Sequence, residues 1–459
     1  MQFGKQILNY QEEILQDLKE LVAIPSVVGK PEPDMPFGKL PAAALQKILT
    51  RAKEMGLQTA NVDNYAGHAE YGTGADSAAV LVHIDVVPAG ECWDTDPFTT
   101  ILRDNHLYGR GVADDKGAAV VALYCLKALK DAGVETQRRL RVIFGSGEEI
   151  ASNDLEMYFK KQEMPVFAFT PDSEYGICNR EKGILRLDLI VENDSTVVTS
   201  FDAGTVVNAV PCHAEATINC SAEQKETLKT LVQKDSSTFS SSEKEDGLHI
   251  SAKGLSCHAM QPQEGKNAAA HLALLLGKVF SDQELGSLLT FVKNTIGLET
   301  NGNSLKIRQS DVQSGPLTLN LGILHIDNRI SSAGIDIRYP VTADGKTIAK
   351  SITATAAGYG IACKIHGNSE PLFIPEDAPF IELLKEGYAH VMGENPALYA
   401  TGGGTYAREL HGRGVAFGPF FPEEGDRRLH NSNENIDLTY FMKHAEICME
   451  TMYLMATKP

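Results

Sequence analysis

Apolar side chains recur at helical spacing through Ile7, Leu8, Ile14, Leu15, Leu18, Leu21 and Val22, so the chain opens with an amphipathic helix. Pro25 ends it. Residues 78–87 (AAVLVHIDVV) form a short, branched, nearly continuous apolar run, the pattern of a strand buried on both faces. Helical spacing returns over 116–132, where Ala and Leu dominate. Residues 140–144 (LRVIF) read as a second strand, 155–161 as a helix and 166–170 (VFAFT) as a third strand. Strands alternating with helices predict an α/β fold with a mainly parallel sheet flanked by helices.

The pattern changes after about Arg180. Residues 184–191, 206–211, 249–255 and 334–339 alternate apolar with polar positions, which suits strands exposed on one face. Residues 234–246 (KDSSTFSSSEKED) read as a solvated loop by composition, and helices are expected over 267–280 and 345–357. These segments predict an inserted α+β lid domain over 181–374, between two parts of a first domain at 1–180 and 375–459. The insert is about 190 residues long, at the high side for one ordinary domain.

Composition narrows the functional classes. The 459 residues carry 42 Lys+Arg against 60 Asp+Glu, a formal charge of −18, which argues against nonspecific binding to nucleic acid or anionic lipid. The apolar runs are far shorter than the ~20 residues that span a bilayer, and residues 1–20 show no signal-peptide pattern. Eight cysteines are scattered without a C-x-x-C pair, unlike a disulfide framework or a zinc ribbon. The chain reads as soluble and cytoplasmic.

Polar residues interrupt the strands of the first domain at one end only. His83 and Asp85 close the first strand, Asp114, Asp115 and Lys116 precede a helix in GRGVADDKG, Glu148 and Glu149 follow LRVIF in GSGEE, and Asp172 follows VFAFT. In open α/β sheets ligands bind outside the carboxyl ends of the strands. Acidic clusters arriving at one edge repel one another unless something positive lies between them. A pair of divalent cations meets that need, because imidazoles and carboxylates ligate borderline metals and a carboxylate can bridge two ions. Two such metals can polarise a carbonyl and lower the pKa of water from 15.7 to about 7. A carboxylate outside the ligand set must then move the proton. One ligand and one base account for the Glu148–Glu149 pair.

Each residue alone has an ordinary structural explanation. A histidine in an apolar run is usually a core residue, paired acids before a helix are usually caps or dipole partners, and His430 in HNSNE could be a surface residue. Their order and shared placement argue for chemistry.

The sequence resembles the M20 metallopeptidases. The resemblance rests on His-Ile-Asp at 83–85, GRGVADDKG at 109–117, GEE at 147–149, Pro-Asp at 171–172, GLSCHAMQPQEGKNA at 254–268 and HNSNE at 430–434. TGGGTYARE at 401–409 and the long middle region bring it nearest the dipeptidase V (Xaa-His dipeptidase, carnosinase-like) branch. The resemblance implies that His83, Asp114 and Asp172 hold one metal and that Asp114, Glu149 and His430 hold the other. Asp114 is then the bridge, since the family's bridging Asp lies two residues before the lysine that is Lys116 here. Asp85 would steady the His83 imidazole, and Glu148 is left as the general base.

The same resemblance implies roles in the lid. His258 would stabilise the developing oxyanion, Asn208 in VVNAVP would help hold the carbonyl region, and Arg338 in IDIRYP would bind the substrate carboxylate. Gly402, Gly403 and Gly404 would let backbone N–H groups approach that carboxylate. The competing local readings are a surface pair of Arg338 with Asp336 and a His258 that merely packs beside Cys257, while His213 in VPCHAEA is read as structural. The implied enzyme is a monomeric dipeptidase with two divalent metal ions, zinc first and manganese or cobalt as alternatives. Its substrate would be an unblocked dipeptide, enclosed by lid closure so that long chains are rejected. Competing activities are deacylation of N-acyl amino acids or of a succinylated diaminopimelate, and a noncatalytic metal- or peptide-binding role.

Overall fold

The apolar run at 78–87 becomes the strand Ser77–His83, with every residue buried. It is the centre of a sheet because a strand without a polar face can only be accommodated between neighbours and under helices. Arg139–Gly145 lies parallel to it on one side and Phe167–Thr170 on the other, and Gly414–Phe417 extends the parallel set. Antiparallel strands flank this centre: Ala66–Tyr71 and then Gln58–Val62 at one edge, Ile177–Glu181 at the other. The expected α/β fold with a mainly parallel sheet is therefore what forms. The helices Lys116–Asp131 and Leu438–Thr457 are buried along most of their lengths. Asp437 starts the second of them by accepting the Thr439 and Tyr440 N–H groups.

The computed structural model describes residues 2–150 and 152–459. The chain forms two compact units, one made of the residues up to Asn179 with Phe373–Tyr399 and Thr405–Pro459, the other of Arg180–Leu372 with Ala400–Gly404. Among the described residues no helix is long and apolar enough to cross a membrane.

The second unit is built on an eight-stranded sheet. Its central strands Thr318–Ile326, Ile330–Tyr339 and Gly183–Glu192 pair antiparallel. Leu185, Leu187 and Leu189 alternate inward to meet Ile335, Ile337 and Tyr339, and the helix Gly345–Ala357 covers part of this core. Two expectations fail here. Residues 206–211 are not a strand: the segment runs as a loop beside His258, with Val210 N–H donating to the Cys257 carbonyl and Asn208 accepting from Ala259 N–H. Residues 234–246 are not a loop throughout, because Phe239–Lys244 pairs with Gly247–Lys253 as the outermost strand. Only Phe239 of that strand is buried. An edge strand can afford polar residues on both faces, so composition alone reads it as loop.

Two buried histidines make the first unit acid-sensitive. His68 Nδ1 lies 2.7 Å from the Tyr158 hydroxyl oxygen and His444 Nδ1 2.9 Å from the Tyr175 hydroxyl oxygen. Burial pushes both imidazoles down to about 3, aided at His68 by Arg141 and Arg139. Between that value and the unfolded value of about 6.5 the unfolded chain binds the extra proton, so stability rises with pH over this window. The contribution is complete above about 6.5 and is lost as pH falls toward 3, at about 1.4 kcal/mol per pH unit for each histidine. His444→Asn is therefore expected to flatten the dependence of urea-unfolding free energy on pH by that slope between pH 6.5 and 4. An unchanged slope would show that His444 does not carry this term.

Candidate metal centre

The carboxyl ends of the parallel strands deliver the first-domain residues to one place. His83 ends its strand in register with Gly145, so the GSGEE turn starts beside it. The His83 Nδ1 atom lies 3.0 Å from the Asp85 carbonyl oxygen, which can only accept, so Nδ1 carries the proton. Nε2 faces Asp114 Oδ1 at 2.9 Å, the atom it would offer a cation once deprotonated. His430 Nε2 approaches the other oxygen of the same carboxylate at 3.1 Å and Glu149 Oε2 at 3.2 Å. Ligand atoms of His83, Asp114 and Glu149 form one group within 4.8 Å of one another, and those of His83, Glu148 and Asp172 form a second. His83 is buried, while His430 stands at the rim with 55% of its side chain exposed.

Asp85 contributes to the site in a different way from the one expected. Its carboxylate oxygen is 3.6 Å from His83 Nδ1, so the main-chain carbonyl is what steadies the imidazole. The carboxylate instead accepts the Glu148 and Glu149 N–H groups at 3.1 Å each. The strand ends at His83 beside Gly145, and from there the Asp85 side chain faces the GSGEE turn.

Electrostatics show how crowded the cluster is. Burial pushes the Glu148 carboxyl up to about 8, with His83 opposing and Glu149, Asp85 and Asp114 reinforcing the shift. Burial and the charges of Asp114 and Glu148 also hold Asp172 well above the ordinary carboxylate range. Burial would raise Asp114 too, but the imidazoles of His430 and His83 outweigh it and hold Asp114 low. His430 rises to about 10 through its hydrogen bonds to Asp114 and Glu149. Carboxylates that must share protons or borrow imidazolium charge in this way suit divalent cations, whose charge would relieve the repulsion.

Sequence reasoning missed the supports of the GSGEE turn. Asp154, buried, accepts the Ser146 and Gly147 N–H groups at 3.0 Å each and the Tyr406 hydroxyl. A Cβ on Gly145 would lie 1.8 Å from the Tyr406 hydroxyl oxygen, so only glycine fits that approach. Asp154 looks in sequence like an ordinary helix start, and Tyr406 is merely one residue of TGGGTYARE. Asp115 also holds the site, accepting His83 N–H at 3.2 Å through Oδ2.

The lid residues named from the sequence lie in the second unit and gather around one loop. Asn208 accepts from Ala259 N–H at 2.9 Å and so lies beside His258, whose Nδ1 accepts from Met260 N–H at 3.1 Å. Asn320 supports this loop, its amide donating to the Val207 and Ala209 carbonyls at 2.9 Å each. A Cβ on Gly402 would lie 2.7 Å from that of Met260, so the glycine run passes close to it. Gly403 N–H is spent on the Thr401 hydroxyl at 3.0 Å. Gly404 completes the segment assigned to this unit. Arg338 pairs with Asp336, but not at the surface: it is 2% exposed, donates to both Asp336 oxygens and gives Nη1 to the Gly402 carbonyl at 2.8 Å. Both faces of the central strand are covered, which is why the polar face of the IDIRYP alternation is buried. His213 is exposed and pairs with Glu215 at 3.0 Å, away from any cluster of ligands found among the described residues.

Comparison with known proteins agrees with this architecture. Residues 79–454 match peptidase family M20/M25/M40. The chain is 34% identical to a Bacillus subtilis (strain 168) protein named "Putative dipeptidase YtjP", over 99% of this chain and 100% of that protein. It is 32% identical to "Putative dipeptidase SH1171" of Staphylococcus haemolyticus (strain JCSC1435), over 98% of each. Its fold is similar to that of human carnosine dipeptidase 1, with a TM-score of 0.60 at 16% identity over 99% of both chains.

Proposed function

Since this chain belongs to peptidase family M20/M25/M40, we propose that it is a metal-dependent dipeptidase hydrolysing unblocked dipeptides. One observation carries the metal part of this reading: His83 and His430 both turn Nε2 toward the two oxygens of a single carboxylate, Asp114. A shared carboxylate between two nitrogen donors suits a bridge between two cations. His83, Asp114 and Asp172 would hold one, and Asp114, Glu149 and His430 the other. Zinc is the first expectation from this nitrogen and oxygen donor set, with manganese or cobalt as alternatives. When bound, the pair would supply Lewis acidity to the scissile carbonyl and acidify water.

The chain's own residues do the rest. Glu148, which the family resemblance leaves out of the ligand set although its carboxylate lies within 4.8 Å of ligand atoms of His83 and Asp172, takes the proton of the attacking water and returns it to the departing amine. Asp85 and Asp154 fix where that carboxylate sits, by holding the N–H groups of residues 146–149. In the second unit, His258 is assigned to the developing oxyanion and Asn208 to the carbonyl region. Arg338, its charge already balanced by Asp336, is assigned with Gly402–Gly404 to the substrate carboxylate. The names of the relatives support a dipeptide as substrate. A cytoplasmic, monomeric enzyme completes the reading.

Side-by-side hydrolysis of Ala-His and Leu-Gly against N-acetyl and N-succinyl amino acids tests it. Dipeptides are expected to be preferred by on the order of 100-fold in kcat/KM, since a site built for an ammonium rejects a blocked amine. Faster cleavage of the acylated compounds would make the protein a deacylase instead.

A further inference from the structure

Two motifs of the catalytic unit contain charged residues that the proposed mechanism leaves unused: Arg110 in GRGVADDKG and Glu434 in HNSNE. They meet in the interior, at 1% and 0% exposure, with Arg110 Nη1 2.6 Å from Glu434 Oε2. The other Glu434 oxygen accepts three main-chain N–H groups, from Gly111 at 3.0 Å, Ala113 at 2.9 Å and Asp114 at 3.2 Å. Arg110 Nη2 donates to the Asn431 carbonyl at 3.1 Å, one residue beyond His430. The guanidinium also lies over the Trp93 indole, 5.4 Å from its centroid.

The local sheet explains how two segments so distant in sequence come together. Asn435–Asp437 pairs antiparallel with His106–Tyr108, and Gly109 N–H donates to the Glu434 carbonyl at 3.0 Å. The loop carrying Asp114 and the loop carrying His430 are thus stitched at their bases by one carboxylate and one guanidinium. A buried anion beside an acidic cluster is costly by itself. A general stabilising role would be served as well by apolar residues of the same volume. What apolar residues could not supply, and a neutral amide supplies only weakly, is an anionic acceptor that converges three N–H groups on one point and so fixes the direction of the Asp114 side chain.

We propose that Glu434 and Arg110 form a clasp that sets the mutual position of Asp114 and His430. They act as positioning residues for the cation pair and are not ligands themselves. This inference rests on the two-cation reading above. Residues that orient metal ligands typically change metal affinity by 10–100-fold when replaced.

The test uses the full chain as wild type, E434Q, E434D and the double variant R110Q/E434Q. Each is stripped with a chelator and titrated with Mn2+ by calorimetry, and its metal-free stability is measured by urea unfolding. E434Q leaves Arg110 buried without its counter-charge and is expected to be less stable, whereas the double variant removes both charges and regains stability. Mn2+ affinity is expected to fall about 10–100-fold in all three variants. It stays low in the double variant even where stability returns, a separation that a merely structural pair would not produce. Wild-type Mn2+ affinity in the double variant, or in either folded single variant, overturns the clasp. If E434Q does not fold, E434D and the double variant carry the comparison. Absence of Mn2+ uptake by the wild type would overturn the two-cation reading itself, and the clasp with it.

Discussion

Replacing Glu148 with glutamine is expected to lower kcat for dipeptides by ~10²–10⁴-fold while leaving the bound metal unchanged. Glutamine is nearly isosteric, and the turn that presents it is held through main-chain N–H groups bonded to Asp85 and Asp154, which the substitution does not touch. What disappears is the only function assigned to the side chain, a carboxylate that can take a proton and give it back. KM should change little, since no contact with the substrate's termini is assigned to this residue. Metal analysis of the purified variant alongside its steady-state kinetics makes the measurement. Near-normal turnover would remove Glu148 from the mechanism, and loss of metal would place it among the ligands.

Asp114→Asn should have the larger effect on the centre as a whole. Its two oxygens face His83 and His430 separately, at 2.9 and 3.1 Å. An amide offers one neutral oxygen and one NH2 group, and the NH2 group cannot ligate a cation, so the bridge between two cations is lost. Hydrolysis is expected to fall to background and metal content to drop toward zero. The wild type should show a matching response to chelation. Ions held at a thousand times their dissociation constant stabilise the fold by about 4 kcal/mol, so removing them should lower the melting temperature by roughly 4–8 °C for a chain of this size. Restoring the metal should restore both activity and melting temperature. The variant's melting temperature should be indifferent to the chelator. Wild-type turnover by Asp114→Asn would end the bridging assignment.

Much of this site was legible in the sequence because its residues sit at points where pattern changes. His83 breaks a continuous apolar run, and the acidic pairs at 114–115 and 148–149 open after apolar or glycine-rich stretches. Short, nearly continuous apolar runs located three of the four parallel strands, Gly414–Phe417 being missed, and their carboxyl ends then named one edge of the sheet. By contrast, the edge strand Phe239–Lys244 was read as loop, since nothing buries its faces and so no periodicity is imposed on it. Residues 206–211 show the opposite error. Burial does not alternate along them: Val206 is exposed and Val210 and Pro211 are buried, because the segment is a loop beside His258 and not part of a sheet.

Side-chain chemistry and its order along the chain were thus set by the amino-acid sequence itself: which imidazoles and carboxylates are available, and which strand end each one follows. Tertiary structure alone decided which atoms they use. It gave the His83 proton to a main-chain carbonyl, turned the Asp85 carboxylate to the GSGEE turn, buried Arg338 on Asp336 and brought Glu434 beneath Asp114. The physical reason is that most of these partners are main-chain N–H and C=O groups, which every residue carries alike. Only the folded path determines which of them converge.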